Sequence, residues 1–203
     1  MAGPRVRKSA EERRAEMREA ADAIAVSDGL AAVTVRSLAQ RMGVVPGLIA
    51  HYVDSMDVLR AETVGRVLTA ELEGFRVVVE AETTTRGRLR RLTDLLTRAG
   101  REGSSALWLD AWSHGLRVPP IAAEVRSHMD AWQAFIQQLI EAAVDAGDVE
   151  CRDPDATAWH IIAVADGLNA HGLVQYRDRE ALRGQMAKAI GESLGLSPEV
   201  LCC

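Results

Sequence analysis

The sequence predicts an all-α protein of about nine helices, and three observations carry that prediction. Apolar residues recur at helical spacing along nearly the whole chain of 203 residues. Helix-start residues (Ser, Thr, Asp, Pro) and helix-stop glycines punctuate those runs at plausible intervals. No alternating strand pattern and no internal repeat rises above noise.

Taken in order, residues 1–8 form a basic arm, suited either to a minor groove or to a solvated tail. Ser9 with Glu12 makes a capping box that opens the first helix, with Met17, Ala21, Ile24 and Ala25 on its inner face and Gly29 ending it. Thr34 caps a short second helix carrying Val35, Leu38, Ala39 and Met42, and Gly43 turns the chain out through a left-handed conformation. Pro46 starts a third helix bearing Leu48, Ile49 and Tyr52. Asp54 or Ser55 caps a fourth helix to about Phe75, with Val58, Leu59, Val64, Val67, Leu68 and Leu72 inward. Threonines 83–85 open the fifth, with Leu89, Leu92, Leu95 and Leu96 inside and Gly100 and Gly103 closing it. The sixth runs from Ser104 or Ser105 to about Val118. The seventh starts at Pro119-Pro120 and ends at Gly147, with Trp132, Phe135, Ile136 and Ile140 among its inner residues. Asp153-Pro154 opens an eighth, read to about Tyr176, and residues 179–194 form the ninth.

Two helices of about two turns joined by a glycine turn, spanning residues 34–53, make a helix-turn-helix. Ala39 is small enough for the helices to cross closely, and Leu38, Val44 and Ile49 can fill the wedge between them. At these residues the chain resembles the TetR-type repressors, through Thr34, Val35, Arg36, Leu38, Ala39, Gly43, Val44, Pro46 and Gly47, then Tyr52, Ser55 and Leu59. The resemblance implies a DNA-binding domain over residues 1–55, and a ligand-binding and dimerisation domain over 56–203. It implies a bound operator of double-stranded DNA, with Thr34, Arg36, Val45, Pro46, Gly47, His51 and Tyr52 at the interface. The chain departs from the family at Val45, where Ser or Thr is usual, at Ala50 for Tyr, at Tyr52 for His, at Val53 for Phe, and at Met56 for a phosphate-gripping Lys. Phosphate contacts supply much of the affinity for DNA, so these departures weaken binding or move it elsewhere.

Composition bounds the remaining possibilities. The net charge of -5 argues against a wholly basic nucleic-acid binder, but residues 1–60 carry nine basic against eight acidic residues, while the rest carry 15 against 21. An anionic polymer would meet the N-terminal end and be repelled by the rest. No apolar run reaches the ~18 residues of a membrane span, and the charged N-terminus lacks a signal-peptide core, so a cytoplasmic protein is expected. Cys151, Cys202 and Cys203 suit neither a disulfide framework nor a structural zinc site. The terminal pair is either redox-active or metal-binding, or a frayed tail with inert thiols. His51, His114, His128, His160 and His171 are scattered, and no nucleophile elbow, phosphate loop or paired-carboxylate motif occurs. No enzyme, metal or cofactor is expected.

The C-terminal part holds all four tryptophans. Trp108 and Trp112 share a helix face, as do Trp132 and Phe135, while Trp159, Ile162, Asp166, Asn169 and Leu173 follow one stripe. An acid and an amide on a mostly apolar face need a partner, a water or a ligand. The residues WLDAWSHGLRVPP from Trp108, with Trp132, Phe135 and DPDATAWHIIAVADGL from Asp153, resemble the C-terminal domain of BetI-like members. Two readings stand: tryptophans as plain core, or a pocket formed by Trp108, Trp112, Trp132, Phe135, Trp159, Asp166 and Asn169 for a small organic effector, cationic or aromatic. Small residues such as Ala163, Gly167, Gly184 and Ala187 allow close helix approach, either within the chain or, as the family resemblance implies for the last two helices, against a two-fold mate in a homodimer. The expected function is a ligand-responsive transcriptional regulator, a repressor released from a palindromic operator. The alternative is a helical ligand- or partner-binding protein of the same fold that has lost specific DNA binding.

Overall fold

Capping side chains set the start of most helices. In the computed structural model, which describes residues 9–98, 101–197 and 201, α1 spans Ala10–Asp28 behind Ser9. The Ser9 hydroxyl accepts from Glu12 N at 3.1 Å, and the Glu12 carboxylate accepts from Ser9 N at 2.6 Å. The helices that follow are α2 Val35–Met42, α3 Pro46–Tyr52, α4 Met56–Glu80, α5 Thr85–Leu96, α6 Glu102–Gly115, α7 Pro119–Asp145, α8 Pro154–Leu173 and α9 Arg179–Leu194. Among the described residues there are nine α-helices and no strand. Thr34, Ser55, Thr84, Asp153 and Asp178 cap α2, α4, α5, α8 and α9 through the same side-chain to backbone bond. Pro46 and Pro119 start α3 and α7 without a side-chain cap. Gly43 leaves α2 at φ 63°, a left-handed conformation that a β-branched residue resists.

Several boundaries differ from the sequence expectation, each for a physical reason. α4 continues past Phe75 to Glu80 because Phe75 and Val79 extend its buried stripe, whereas Val58 lies 46% exposed. α5 ends at Leu96, and Gly103 sits in the first turn of α6, which starts at Glu102 rather than at Ser104 or Ser105. Gly103 serves packing there: a Cβ would lie 2.7 Å from Val26 Cγ1 and 2.9 Å from the Val26 carbonyl of α1. α6 stops at Gly115 instead of Val118. α8 stops at Leu173 instead of Tyr176, with Gln175 at φ 55°. A 3-10 turn, Leu30–Ala32, links α1 to α2 and had no periodic signal. Residues 1–8, Gly100, Cys202 and Cys203 lie outside the described residues.

Two apolar clusters form the core. The first gathers Ile24, Leu30, Leu38, Ile49, Val64 and Leu68, and is completed by Leu107 and Ala111 of α6 and Ile121 and Val125 of α7. The second gathers Val79, Leu92, Phe135, Ile140, Ile161, Met186 and Ile190. Trp108 packs against both. Polar ties fix the N-terminal helices to α4 and α6. Arg66 donates to the Asp22 carboxylate at 2.7 Å, Arg60 Nε donates to the Val33 carbonyl at 3.1 Å, and Leu30 N donates to Asp110 Oδ2 at 2.8 Å.

Candidate functional sites

The outward surface of the helix-turn-helix is nearly free of polar groups on α3. Ile49 is the one buried residue of α3, so Val45, Pro46, Gly47, Ala50 and His51 face outward, Val45 at 70% exposure. Arg36 projects from α2 into solvent. The Thr34 hydroxyl is engaged inside its own capping box, 3.1 Å from Ser37 N and 3.0 Å from Ser37 Oγ. Tyr52 is half-buried, edge-on to the His51 ring at 5.2 Å, with the Arg14 guanidinium 5.6 Å from its ring centre. Met56 packs against the N-terminal cluster. The face thus combines an apolar strip with flanking cations.

The second site lies inside the helical body. Trp108 of α6, Trp132 of α7 and Asp166 of α8 converge on a cavity of about 40 Å³, closed by Leu96, Met129, Ile136, Ile162, Ala165 and Arg101. The other expected pocket residues fall elsewhere. Trp112 packs on the N-terminal cluster, and Phe135 is buried behind Trp132 at 6.2 Å between ring centres. Trp159 is 61% exposed, and Asn169 lines a separate outer cleft of about 620 Å³. On α8 the buried stripe is Ala158, Ile161 and Ala165, one residue round from the stripe that begins at Trp159, which explains its exposure.

Sequence reasoning missed the polar centre of this site. Arg101, just before α6, donates to Glu71 Oε1 and to the Leu96 carbonyl, both at 2.9 Å, while Trp108 Nε1 donates to Glu71 Oε2 at 3.1 Å. The Arg101 guanidinium lies 4.9 Å from the Phe75 ring centre. The signal for Glu71 was present: it stands three residues after Leu68 and four before Phe75, on the inward stripe of α4. Trp132 Nε1 and Arg101 Nε are buried without an acceptor, and unmet buried donors are costly.

Asp166 has its pKa pushed up to about 6. Burial penalises the charged form most, Arg101 pulls the value back down, and Glu71 adds to the rise. A raised carboxylate pKa means the unfolded chain gives up this proton at a lower pH than the folded one. Asp166 therefore favours folding most at low pH, and that benefit is lost as pH rises from about 4 to about 6. The Asp166→Asn protein should be more stable than the parent at pH 7.5 by up to about 3 kcal/mol, converging with it near pH 3.5. Denaturant midpoints across that range check it; a constant difference would contradict it.

Residues 85–195 match the family model of the BetI-type transcriptional repressor C-terminal domain. Among solved structures, the chain resembles a protein from Saccharomonospora viridis assigned to the transcriptional regulators and solved in complex with choline. The identity is 22%, with 91% of this chain and 98% of that chain covered and a TM-score of 0.81. A TetR transcription regulator from Haloarcula marismortui is 17% identical over 91% of this chain and 99% of that one, with a TM-score of 0.78. No curated protein matches the sequence. Likeness at these identities concerns the fold. Among the described residues no helix is long and apolar enough to cross a membrane.

Proposed function

The chain belongs to the TetR-type transcriptional regulators with a BetI-type C-terminal domain, and from that premise we propose that it is a homodimeric repressor released from a palindromic operator by a small organic cation. The observation that carries this reading is the pairing of an outward α3 with an aromatic, acid-bearing cavity in the same chain. Residues up to about 55 form the DNA-reading unit, and the remainder forms the ligand-binding and dimerisation body. Thr34 and Tyr52 lie toward phosphate, Arg36 toward backbone or a base edge, Val45 toward a thymine methyl and His51 toward a base or phosphate. Pro46 and Gly47 let the start of α3 approach the groove. The protein acts in the cytoplasm, where its operator is.

Dimerisation through α8 and α9 is supported by the open space around Gly167 and Gly184 and by the exposed Trp159. A two-fold pair would set its recognition helices about 34–36 Å apart, matching successive major grooves. The cavity's indoles and its Asp166 carboxylate, with Glu71 behind them on Arg101 and Trp108 Nε1, suit an organic ammonium through cation–π and charge contacts, and the S. viridis protein was solved with such a cation, choline.

Titrating the purified protein against the DNA upstream of its own gene, with salt and competitor DNA varied, tests the reading. Specific nanomolar binding that weakens with salt is expected. Arg36→Ala and Tyr52→Phe should each weaken binding without unfolding the dimer, and Arg36→Ala should reduce the salt slope by about one. Negligible, salt-insensitive affinity for every duplex would instead favour a ligand-binding protein that has lost DNA binding, a reading to which the apolar Val45, Ala50 and Met56 lend weight.

A further inference from the structure

We propose that Arg101 is a built-in occupant of the effector's cation position, so that a cationic effector binds by displacing the chain's own guanidinium. This rests on the reading that the cavity takes an organic cation. The guanidinium lies 4.9 Å from the Phe75 ring centre, pairs with Glu71 at 2.9 Å, and lines the same cavity as Trp108, Trp132 and Asp166. Aromatic faces with a carboxylate are the surroundings that recognise an ammonium group. Here they already hold a cation.

The space that remains agrees with an occupied site. At about 40 Å³ the cavity has room for about three waters, whereas ligand pockets run to about 300–1,000 Å³. The resident cation is also imperfectly held, since Arg101 Nε is buried without an acceptor. It has somewhere to go. Arg101 lines the outer cleft of about 620 Å³ as well, where it would share Glu102 with Arg179 and meet Asp178, the cap of α9, beside Arg98 and Arg177. Moving the guanidinium outward leaves Glu71 and Asp166 facing the incoming cation, so the charge balance of the buried site is preserved.

The exchange has a mechanical consequence, because Arg101 immediately precedes α6. That helix touches the N-terminal unit through Gly103 against Val26, and its Asp110 holds the Leu30 N–H of the turn leading to α2. Displacing Arg101 therefore acts on the helix that positions the helix-turn-helix. For release to follow, the effector must favour the displaced arrangement over the resident one.

The test uses the full chain and tetramethylammonium as the probe, followed by tryptophan fluorescence and calorimetry. Arg101→Ala should bind the probe at least tenfold more tightly than the parent, and the probe should raise its Tm more. Arg101→Gln, which keeps a polar side chain over the site without the charge, should show the same gain. The neutral near-isostere tert-butanol, which presents the same cluster of methyl groups without the charge, should not. Equal or weaker probe binding by both variants, with the parent still binding it, overturns the inference and leaves the cationic-effector reading standing. An equal gain for the neutral alcohol also overturns it, since the variants would then have opened only a void. Failure of parent and variants alike to bind the probe removes both readings, whereas loss of folding in both variants that the probe does not restore overturns this inference alone, because Arg101 would then be a structural ion-pair partner and not a displaceable occupant.

Discussion

Glu71→Ala should lower the unfolding free energy by about 3–5 kcal/mol, because the substitution strands a buried guanidinium. The Glu71 side chain is 8% exposed and that of Arg101 14%, so in the resident arrangement each charge relies on the other rather than on water. The change also removes the acceptor of Trp108 Nε1, leaving Trp108 and Trp132 with unmatched indole donors around one cavity. Glu71→Gln separates the two losses: it keeps an oxygen for Trp108 and removes only the charge, so its cost should be intermediate. The combination of Glu71→Ala with Arg101→Ala should cost less than the sum of the single changes, since the second substitution removes the stranded charge. Denaturant unfolding at one fixed protein concentration is the appropriate measurement, because the apparent stability of any self-associating chain depends on concentration. Additive losses would show that the pair contributes no specific coupling.

What the sequence made legible was local. Thr34, Gly43 and Pro46 each act within a few residues of their own position, as a cap, a left-handed turn and a helix start, and the structure uses each in that way. Trp108, Trp132 and Asp166 were readable as inward because helical spacing put them beside apolar neighbours, and they do meet at one cavity. Arg101 was not readable. It lies in a glycine-rich connection, and its partner Glu71 is 30 residues away on another helix. Nothing local marks that pairing. Trp159 illustrates the opposite error: Ile162 and Asp166 of its stripe on α8 reach the inner cavity, but the fully buried line is the adjacent one through Ala158, Ile161 and Ala165, and Trp159 stays outside. Periodicity identifies a helix more securely than it identifies which flank of a broad apolar face is covered. The same limit explains Val58, whose apolar side chain begins α4 on its open side.

Ile49→Ala should cost about 2–5 kcal/mol and, more tellingly, should loosen α3 while leaving the rest of the chain folded. Seven residues are too few to hold a helix in water without tertiary contacts. Ile49 is the only residue of α3 that is fully buried, inserted among Leu38, Ala39 and the α1 and α4 side chains of the N-terminal cluster; Leu48 and Tyr52 are only partly covered. Removing its three carbons therefore takes away the anchor of the element and leaves a cavity that a short helix cannot fill by shifting, since Gly43 and Pro46 fix the chain on one side and Ser55 caps α4 on the other. Amide exchange in residues 46–53 should accelerate by far more than exchange in α7. If the repressor reading holds, operator affinity should fall with it, even though the Ile49 side chain points away from solvent. A uniform acceleration across all helices would mean instead that the N-terminal cluster unfolds only with the whole chain. That outcome is also informative, because Leu107, Ala111, Ile121 and Val125 complete this cluster from the helices that enclose the inner cavity. The two outcomes thus decide whether α3 yields independently or shares one cooperative unit with the helices that enclose the inner cavity.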